Sequence, residues 1–261
     1  KVVGVAWQAK LMALKFLKHD KKGFISDSIT CIDYAISKGA HIINASYGSF
    51  SYSYAEYQAI ERAKKAGIVF VTAAGNDNND NDSYPTFPNS YDLDNIISVS
   101  AIKRNGDLAN FSNFGLRNVD LGAPGVSIYS TYYLSDSDYS YMNGTSMAAP
   151  HVAGAVALLL SHEPKLAPSQ VRERLIDTAK PLQSLSGKTV SGGMLDVHAA
   201  LTVPPKPTLN LDVDYFPEIP ERDGQITVSV RLSAPNPVLG ASVKATLGSE
   251  YILLDNGFGA D

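Results

Sequence analysis

Two hydrophobic patterns alternate over the first two hundred residues of the chain. Ile29, Ile32 and Ile36 recur at the spacing of one helix face, and Gly39 follows them as a residue that commonly ends a helix. Short, continuous apolar runs are typical of strands that are buried on both faces. Such runs predict strands at 10–17, 41–46, 68–74, 95–101, 119–121 and 126–131. The helical pattern predicts helices at 27–38, 53–66 and 195–201, and two more that begin near Ser146 and at Pro168.

The order of these elements predicts an α/β fold in three layers. Strands that alternate with helices and are apolar on both faces form a parallel sheet between two helix layers, joined by right-handed crossovers. Ligands of such sheets bind beyond the carboxyl ends of the strands. The long loop at 75–94, rich in Asn, Asp and Pro, follows one of the predicted strands and is therefore a functional candidate.

The pattern changes after residue 203, where we expect the first domain, 1–203, to end. Residues 204–207 read Pro-Pro-Lys-Pro, which is typical of a stiff, extended linker. The segments at 208–213, 225–232 and 241–247 alternate with period two and are separated by Pro, Gly and Asn, as in the opening strands of an all-β sandwich. An immunoglobulin-type sandwich needs roughly 100 residues. We therefore predict a truncated β-sandwich-like domain at 208–261.

The composition and charge of the chain exclude some classes of binding partner but do not indicate a function. The net charge is −4 and no block of like charge occurs, so we expect neither a nucleic acid nor an anionic membrane as partner. No apolar run approaches the roughly 18 residues of a membrane span. The single cysteine, Cys31, cannot form an internal disulfide, and its setting favours a small apolar helix residue over a reactive thiol.

One stretch combines a polar turn with an apolar helix. Residues 143–154 read Asn-Gly-Thr-Ser-Met-Ala-Ala-Pro-His-Val-Ala-Gly, and an apolar run at 155–160 follows. Ser146, in the first turn, lies beside unpaired backbone N–H groups and the positive end of the helix dipole, which suits a nucleophile. Thr145 and Ser146 are also good capping residues, so this geometry alone leaves an ordinary helix cap as an equal alternative.

The whole run at 143–154 resembles the nucleophile motif of the subtilisin-like serine proteases. The resemblance implies an endopeptidase that hydrolyses peptide bonds through an acyl-enzyme on Ser146, and it implies an extracellular or cell-surface location. The run Ala-Ala-Gly-Asn at 73–76 is similar to the family's oxyanion motif and implies that Asn76 donates to the tetrahedral intermediate. The alternative for Asn76 is a plain turn residue.

The general base is the missing part of this site. His151 follows Ser146 by five residues and lies about 140° around the helix, so it cannot easily reach the serine hydroxyl. In the family the order is Asp, His, Ser, and neither the aspartate motif nor the His-Gly-Thr-His motif occurs in this chain. We expect both groups in an N-terminal portion of the same protein, and we expect the isolated chain to be inactive. We assign the role of base to none of the other histidines, which are His19, His41, His162 and His198.

A substrate-binding region is also predicted from the resemblance. The run Asn-Ala-Ser-Tyr-Gly at 44–48 resembles the family's edge strand, which pairs with the backbone of a peptide or protein substrate. Thr86 aligns with the floor of the P1 pocket, and its lack of charge predicts a broad, apolar or aromatic P1 preference. Tyr47 has a plainer alternative as an exposed aromatic residue on a sheet edge. The residues expected to wall the pocket are Ser46, Tyr47, Gly48, Ala73, Ala74 and Gly75.

Three further motifs match the family pattern. Phe87-Pro88 matches its Tyr-Pro pair, for which the resemblance implies a cis bond, and Asn89 stands where the family usually has Ala. The runs at 111–115 and 121–125 match as well, and we predict structural roles for them.

The loop at 77–82 is rich in oxygen ligands that suit Ca²⁺, with Asp77, Asp80 and Asp82 as the candidate carboxylates. It lacks the repeating pattern of an EF-hand loop. A solvated acidic turn is the favoured interpretation, and a structural calcium ion stays open. The chemistry itself requires no cofactor.

Two alternatives to a protease remain at this point. The chain could belong to a non-catalytic scaffold or binding protein that keeps the fold, or it could be a processed piece that works only with a separate N-terminal piece. Other hydrolase classes are disfavoured, because the run around Ser146 lacks the second Gly of a G-x-S-x-G elbow and no S-x-x-K motif with its partners occurs.

Overall fold

A computed structural model of the protein describes residues 2–18, 20 and 22–203, and four strands beyond residue 203. The chain divides into two compact units, Lys1–Val203 and Pro204–Asp261.

The first unit contains five helices and eight strands among its described residues. The helices are α1 (Ile25–Ser37), α2 (Tyr54–Lys65), α3 (Thr145–His162), α4 (Pro168–Asp177) and α5 (Val197–Thr202). The strands are β1 (Ile42–Ala45), β2 (Val69–Ala73), β3 (Ile96–Ile102), β4 (Leu121–Pro124), β5 (Ile128–Thr131), β6 (Tyr139–Met142), β7 (Lys180–Pro181) and β8 (Gly193–Met194). None of the described helices combines the length and hydropathy that crossing a membrane would need.

Six strands form one sheet in the order β1-β2-β3-β4-β8-β7. The first four are parallel, with Asn44 opposite Val71 and Val71 opposite Ile97. β8 joins in parallel at the single pair Gly122–Met194, and β7 closes that edge as an antiparallel strand. The predicted parallel α/β sheet is confirmed, and β1 is its other edge.

Helices cover both faces of this sheet. Along β2 the side chains alternate, as strand geometry requires. Val69, Val71 and Ala73 pack with α3, α4 and α5 on one face. Ile68 and Phe70 pack with α1 and α2 on the other. All these side chains are at most 5% exposed, so β2 is buried on both faces, as its largely apolar sequence predicted.

Local signals set the boundaries of the helices. α2 begins after Ser53, whose hydroxyl accepts a hydrogen bond from the Glu56 N–H at 3.3 Å. Gly39 and Gly67 follow α1 and α2 with φ of +67° and +78°, a conformation that glycine adopts without strain. The predicted ends of both helices are confirmed.

Cys31 lies half-buried on α1. Burial, and then the negative charge of Asp27, raise the pKa of its thiol above the usual value. Less thiolate forms at neutral pH as a result, which agrees with the predicted packing role and disfavours a reactive nucleophile.

The strand predicted at 10–17 is wrong. These residues pair with no described strand, and Leu11 is 96% exposed. Met12 and residues 14–17 instead line a cavity of about 330 Å³ together with residues of β1 and α1. An apolar run forms a strand only where a neighbour pairs with its backbone groups, and the outer edge of β1 has no such neighbour among the described residues.

β5 and β6 form an antiparallel hairpin that precedes α3. β5 was predicted from the sequence, whereas β6, β7 and β8 were not; β7 and β8 are only two residues long and show no period. The Phe87–Pro88 bond is cis, as the family resemblance implied.

The second unit is described only as strands. β9 (Asn210–Phe216) pairs antiparallel with β10 (Thr227–Ser233), and β11 (Val243–Thr246) pairs antiparallel with β12 (Glu250–Leu253). The predicted strands overlap with β9, β10 and β11, and β12 was not predicted. The linker predicted at 204–207 lies outside the described residues.

Candidate active site

Ser146 occupies the first turn of α3. The residue before the helix is Gly144. It has φ of +151° and ψ of 157°, a backbone conformation that residues with a side chain rarely adopt. Its N–H donates to the carbonyl of Gly125, directly after β4, at 2.9 Å. The start of α3 is therefore held against the carboxyl end of the sheet, where function was expected.

Ser46 and Ser146 are joined by two hydrogen bonds. Pro150 lies one helical turn after Ser146 and has no N–H, so the Ser146 carbonyl lacks its usual partner within the helix. The Ser46 hydroxyl donates to that carbonyl at 3.0 Å. In return the Ser146 hydroxyl donates to the Ser46 carbonyl at 3.2 Å. The nucleophile candidate is thereby positioned against the residue that follows β1.

Asn76 lies beside the same helix end. Its Oδ1 accepts hydrogen bonds from the backbone N–H of Thr145 at 2.8 Å and from the Thr145 hydroxyl at 3.0 Å. These two donors fix which end of the amide carries the oxygen. The Nδ2 group has no acceptor among the described residues, and it lies 3.7 Å from where a Cβ on Gly144 would be. A free amide donor therefore lies next to the first turn of α3.

His151 is not placed to act as the general base for Ser146. The Nδ1 of His151 donates to the carbonyl of Met147 at 2.9 Å, so the ring is folded back onto its own helix. Within the described part of the chain, no histidine hydrogen-bonds to the Ser146 hydroxyl, and His19 lies outside that part. The geometry agrees with the helical-wheel argument against His151 as the base.

The segments expected to bind substrate come together at one edge of the sheet. Residues 46–48 follow β1 and residues 73–75 end β2, and these two strands are parallel neighbours. Ser49 and Phe87 exchange two backbone hydrogen bonds of 2.7 and 2.8 Å, which attach the loop containing Thr86 to the same edge. Gly48 lies against this loop, because a Cβ there would be 3.3 Å from the Phe87 carbonyl oxygen.

Thr86 is buried, at 4% exposure. Its hydroxyl lies 2.8 Å from the Oδ1 of Asn89 and 3.2 Å from the carbonyl of Ala74. Asn89, the departure from the family pattern, is thus a hydrogen-bond partner of the residue predicted to floor the pocket. Neither residue carries a charge.

Tyr47 is not a free aromatic residue on the sheet edge. Its hydroxyl donates to the Glu56 carboxylate at 3.1 Å and lies 2.6 Å from the Ser28 hydroxyl. Its ring contacts Phe16 edge to face, with centroids 4.8 Å apart. Burial, and then the negative charge of Glu56, raise the pKa of the tyrosine well above its usual range. The side chain therefore anchors residues 46–48, the predicted substrate strand, to α1 and α2 as a neutral hydrogen-bond donor.

The carboxylates of the acidic loop at 77–82 accept hydrogen bonds from neighbouring groups. Asp80 accepts from the Asp82 N–H at 3.0 Å and from the Ser83 hydroxyl at 2.9 Å. Asp82 accepts from the backbone N–H groups of Arg117 and Asn118 at 3.0 Å each. No cluster of three or more metal-ligating side chains occurs among the residues that the structure describes, Asp77 included. The Asp80 and Asp82 carboxylates therefore bond to groups of the loop itself and of residues 117–118, and a structural calcium ion stays a prediction.

Two buried asparagines near the site were not predicted from the sequence. Asn81 and Asn113 are both 0% exposed. Asn81 lies in the loop that was considered for calcium, and Asn113 lies in a run for which only a structural role was predicted. A buried amide cannot be distinguished from a turn residue by local pattern, so nothing in the sequence identified their contacts.

A serine in the first turn of a buried helix, beside a free amide donor, is the arrangement typical of serine hydrolases. Comparisons with known proteins agree with this class. The model of the subtilase family matches residues 1–198. The chain therefore belongs to the subtilase family of serine proteases.

Relatives in several organisms share this similarity. The chain is 42% identical over 202 residues to subtilisin DY of Bacillus licheniformis, covering 76% of this chain and 70% of the relative. It is 40% identical over 185 residues to a thermostable alkaline protease of Halalkalibacterium halodurans, covering 71% of this chain and 49% of the relative. Solved structures include proteases from Pseudoalteromonas arctica, similar with a TM-score of 0.69 and 32% identity over 76% of this chain and 64% of the other.

Proposed function

We propose that the protein is a serine endopeptidase in which Ser146 is the nucleophile and Asn76 supplies the oxyanion hole. One observation carries this proposal: Thr145 holds the Oδ1 of Asn76, so the Nδ2 group is left free beside the first turn of α3. Donors that are already oriented before the charge develops stabilise a transition state without reorganisation.

The reaction follows from this arrangement. The Ser146 hydroxyl gives its proton to a general base as its oxygen attacks the peptide carbonyl carbon. The Asn76 Nδ2 and the Ser146 N–H, which has no partner within the helix, donate to the resulting oxyanion. Collapse breaks the C–N bond, the amine leaves with the proton, and water then hydrolyses the acyl ester.

We infer that the base and its orienting aspartate come from an N-terminal portion of the same protein. The outer edge of β1 pairs with no described strand, and a cavity of about 330 Å³ is lined by β1, by α1 and by residues 14–17. A segment paired with β1 in that cavity would end beside Ser46, which contacts Ser146. The site would then be completed at the carboxyl edge of the sheet.

The substrate is a peptide or protein that pairs with residues 46–48 as an added strand. Ser46, Gly48, Ala73, Ala74, Gly75 and Thr86 carry no charge, which supports a broad, apolar or aromatic P1 preference. On the family resemblance, we place this activity outside the cell or at the cell surface, with no nucleic acid and no membrane as partner.

Labelling of the full-length protein with a fluorophosphonate probe tests the proposal. The probe reacts rapidly only with an activated serine, so we expect an adduct on Ser146 by peptide mass mapping and none in Ser146→Ala. A P1 library should then show cleavage after apolar and aromatic residues, and strict cleavage after Arg or Lys would contradict the pocket assignment.

The same probe separates the alternatives. We expect the isolated 261-residue chain to stay unlabelled and inactive, because its described residues give Ser146 no base. Robust peptide hydrolysis by that chain would refute the missing-base argument. A folded, full-length protein that resists the probe would favour a non-catalytic scaffold instead.

A further inference from the structure

The loop that carries Asn76 rests on two buried asparagines that the reaction scheme does not use. Asn81 and Asn113 are both 0% exposed. We propose that Asn113 is a positioning residue that holds Asn76 in its donating geometry. The inference rests on the proposed role of Asn76 in the oxyanion hole.

Asn113 bonds to the backbone on both sides of Asn76. Its own N–H donates to the carbonyl of Gly75, directly before Asn76, at 3.0 Å. Its side-chain Oδ1 accepts from the N–H of Asp77, directly after Asn76, at 2.8 Å, and from the N–H of Asn79 at 3.1 Å. One residue therefore determines where the backbone enters and leaves Asn76.

The other end of the Asn113 amide is also bonded. Its Nδ2 donates to the Oδ1 of Asn81 at 3.0 Å, and that oxygen also accepts from the Nδ2 of Asn79 at 2.9 Å. The Nδ2 of Asn81 donates to the carbonyl of Ala74, at the end of β2, at 2.8 Å. The side chain of Asn113 must accept two bonds and donate one, and an uncharged amide meets that demand.

Packing leaves little freedom at this point. Gly75 has φ of +112°, and a Cβ there would lie 2.2 Å from the Asn113 Nδ2. The Asn113 amide therefore lies directly against the Gly75 backbone. The loop can take this path only with glycine at one position and a well-oriented amide at the other.

Two anchors thus hold Asn76 from different directions. Thr145 bonds its side-chain oxygen, and Asn113 bonds the backbone before and after it. Without the Asn113 side chain, two N–H groups lose their partner, and the loop is free to shift. Small displacements of a catalytic donor lower turnover steeply, whereas the pairing of a substrate backbone with residues 46–48 uses none of the hydrogen bonds that Asn113 makes.

The test compares Asn113→Ala with Asn76→Ala in the full-length protein. We expect Asn113→Ala to lower kcat about 10–100-fold with KM within about threefold of wild type. Asn76→Ala should lower kcat by about 10²–10³, the magnitude known from subtilisin itself when one such donor is removed. In the Asn76→Ala background, Asn113→Ala should lower kcat less than about twofold further, because no donor remains to be positioned.

Asn95→Ala is the matched control. Asn95 is also 0% exposed, and its Nδ2 donates to the Ile68 carbonyl at 3.1 Å, at the opposite end of the sheet. We expect this variant to lose stability but to keep kcat. If Asn113→Ala does not fold, Asn113→Ser, which keeps one short acceptor, is measured in the same two backgrounds with a smaller loss expected.

The outcomes are separable. An unchanged kcat in the Asn113 variant, or an equal loss in both backgrounds, would overturn the positioning role while leaving the oxyanion assignment intact. A wild-type kcat in Asn76→Ala would instead overturn the assignment of Asn76 itself, and the positioning role with it.

Discussion

At the scale of single residues, Glu56 shows how a buried charge is accommodated next to Tyr47. The side chain is 1% exposed. Hydroxyl oxygens of Ser28, Tyr47 and Tyr91 lie within hydrogen-bond distance of its carboxylate, at 3.0–3.2 Å. Among the described residues, no lysine or arginine forms an ion pair with it. These hydroxyl groups take the place of water around the carboxylate. Loss of any one of them leaves the buried charge less well solvated and should destabilise the folded protein.

We expect Tyr47→Phe to lower the free energy of unfolding by about 1.5–3 kcal/mol, because the Glu56 carboxylate loses one donor that water cannot replace. Urea unfolding measures the change. Tyr54→Phe is the control, since Tyr54 is 63% exposed and its loss of a hydroxyl should change stability by less than about 0.5 kcal/mol. Equal effects of the two substitutions would contradict the role given to Tyr47.

At the scale of elements, the N-terminal turn of α3 is built around a missing backbone donor. Pro150 cannot bond to the Ser146 carbonyl, and the Ser46 hydroxyl replaces it. The hydrogen bond that is missing within α3 is thus replaced by one that connects α3 to the end of β1. This link holds the nucleophile candidate and the expected substrate strand together.

A double-mutant cycle tests this link. Ser46→Ala should lower the free energy of unfolding by about 1 kcal/mol, because the Ser146 carbonyl loses its partner. In the Pro150→Ala background the cost should fall by at least about 0.5 kcal/mol, because the new N–H at position 150 reaches that carbonyl.

Ser37→Ala serves as the control for this cycle. The Ser37 hydroxyl also donates to a helix carbonyl, that of Tyr34 at 2.8 Å, but on an exposed surface far along the chain from α3. Its cost should be the same in both backgrounds. If Ser46→Ala also costs the same with and without Pro150, the compensation does not exist.

At the scale of the whole first unit, Asp120 connects three elements. It lies directly before β4, accepts from the Ser98 N–H of β3 at 2.8 Å, and pairs with Arg172 of α4 at 2.6 Å. Burial raises the pKa of the Asp120 carboxyl, and the Arg172 charge only partly offsets that rise. Keeping the buried Asp120 carboxylate charged therefore costs folding free energy, and the nearby Arg172 charge lowers that cost.

We expect Arg172→Met to lower the free energy of unfolding by about 2–4 kcal/mol at neutral pH. Without the cation the folded-state pKa of Asp120 rises further above its unfolded value. A raised carboxyl pKa removes stability as pH rises through it, so the deficit should be smaller near about pH 4 than at about pH 7.

Denaturant unfolding of Arg172→Met and wild type across this pH range measures the effect. Lys64→Met is the control, because the Lys64–Asp94 pair is 40% and 49% exposed and should contribute less than about 1 kcal/mol. A deficit of Arg172→Met that does not change with pH would contradict the linkage to Asp120.

The local pattern of the sequence was enough to predict most elements of the first unit. Helical spacing with a following glycine located α1 and α2, and continuous apolar runs located β1, β2 and β3. The order of these elements then predicted the parallel sheet, and one long motif located the helix that carries Ser146. The helices and strands depend on neighbours within a few residues of the chain, and the sheet was predicted only from the order of these elements, so the sequence alone was enough for both.

Only the tertiary structure decided the rest. An apolar run at 10–17 looks like a strand, but strand formation depends on a pairing partner, and no described strand pairs with it. Asn113 lies 36 residues from Asp77, to which it bonds, and Ser46 lies 100 residues from Ser146. Such contacts arise because the sheet brings the ends of distant strands to one edge. Their physical cause is packing across the fold, which local patterns do not encode.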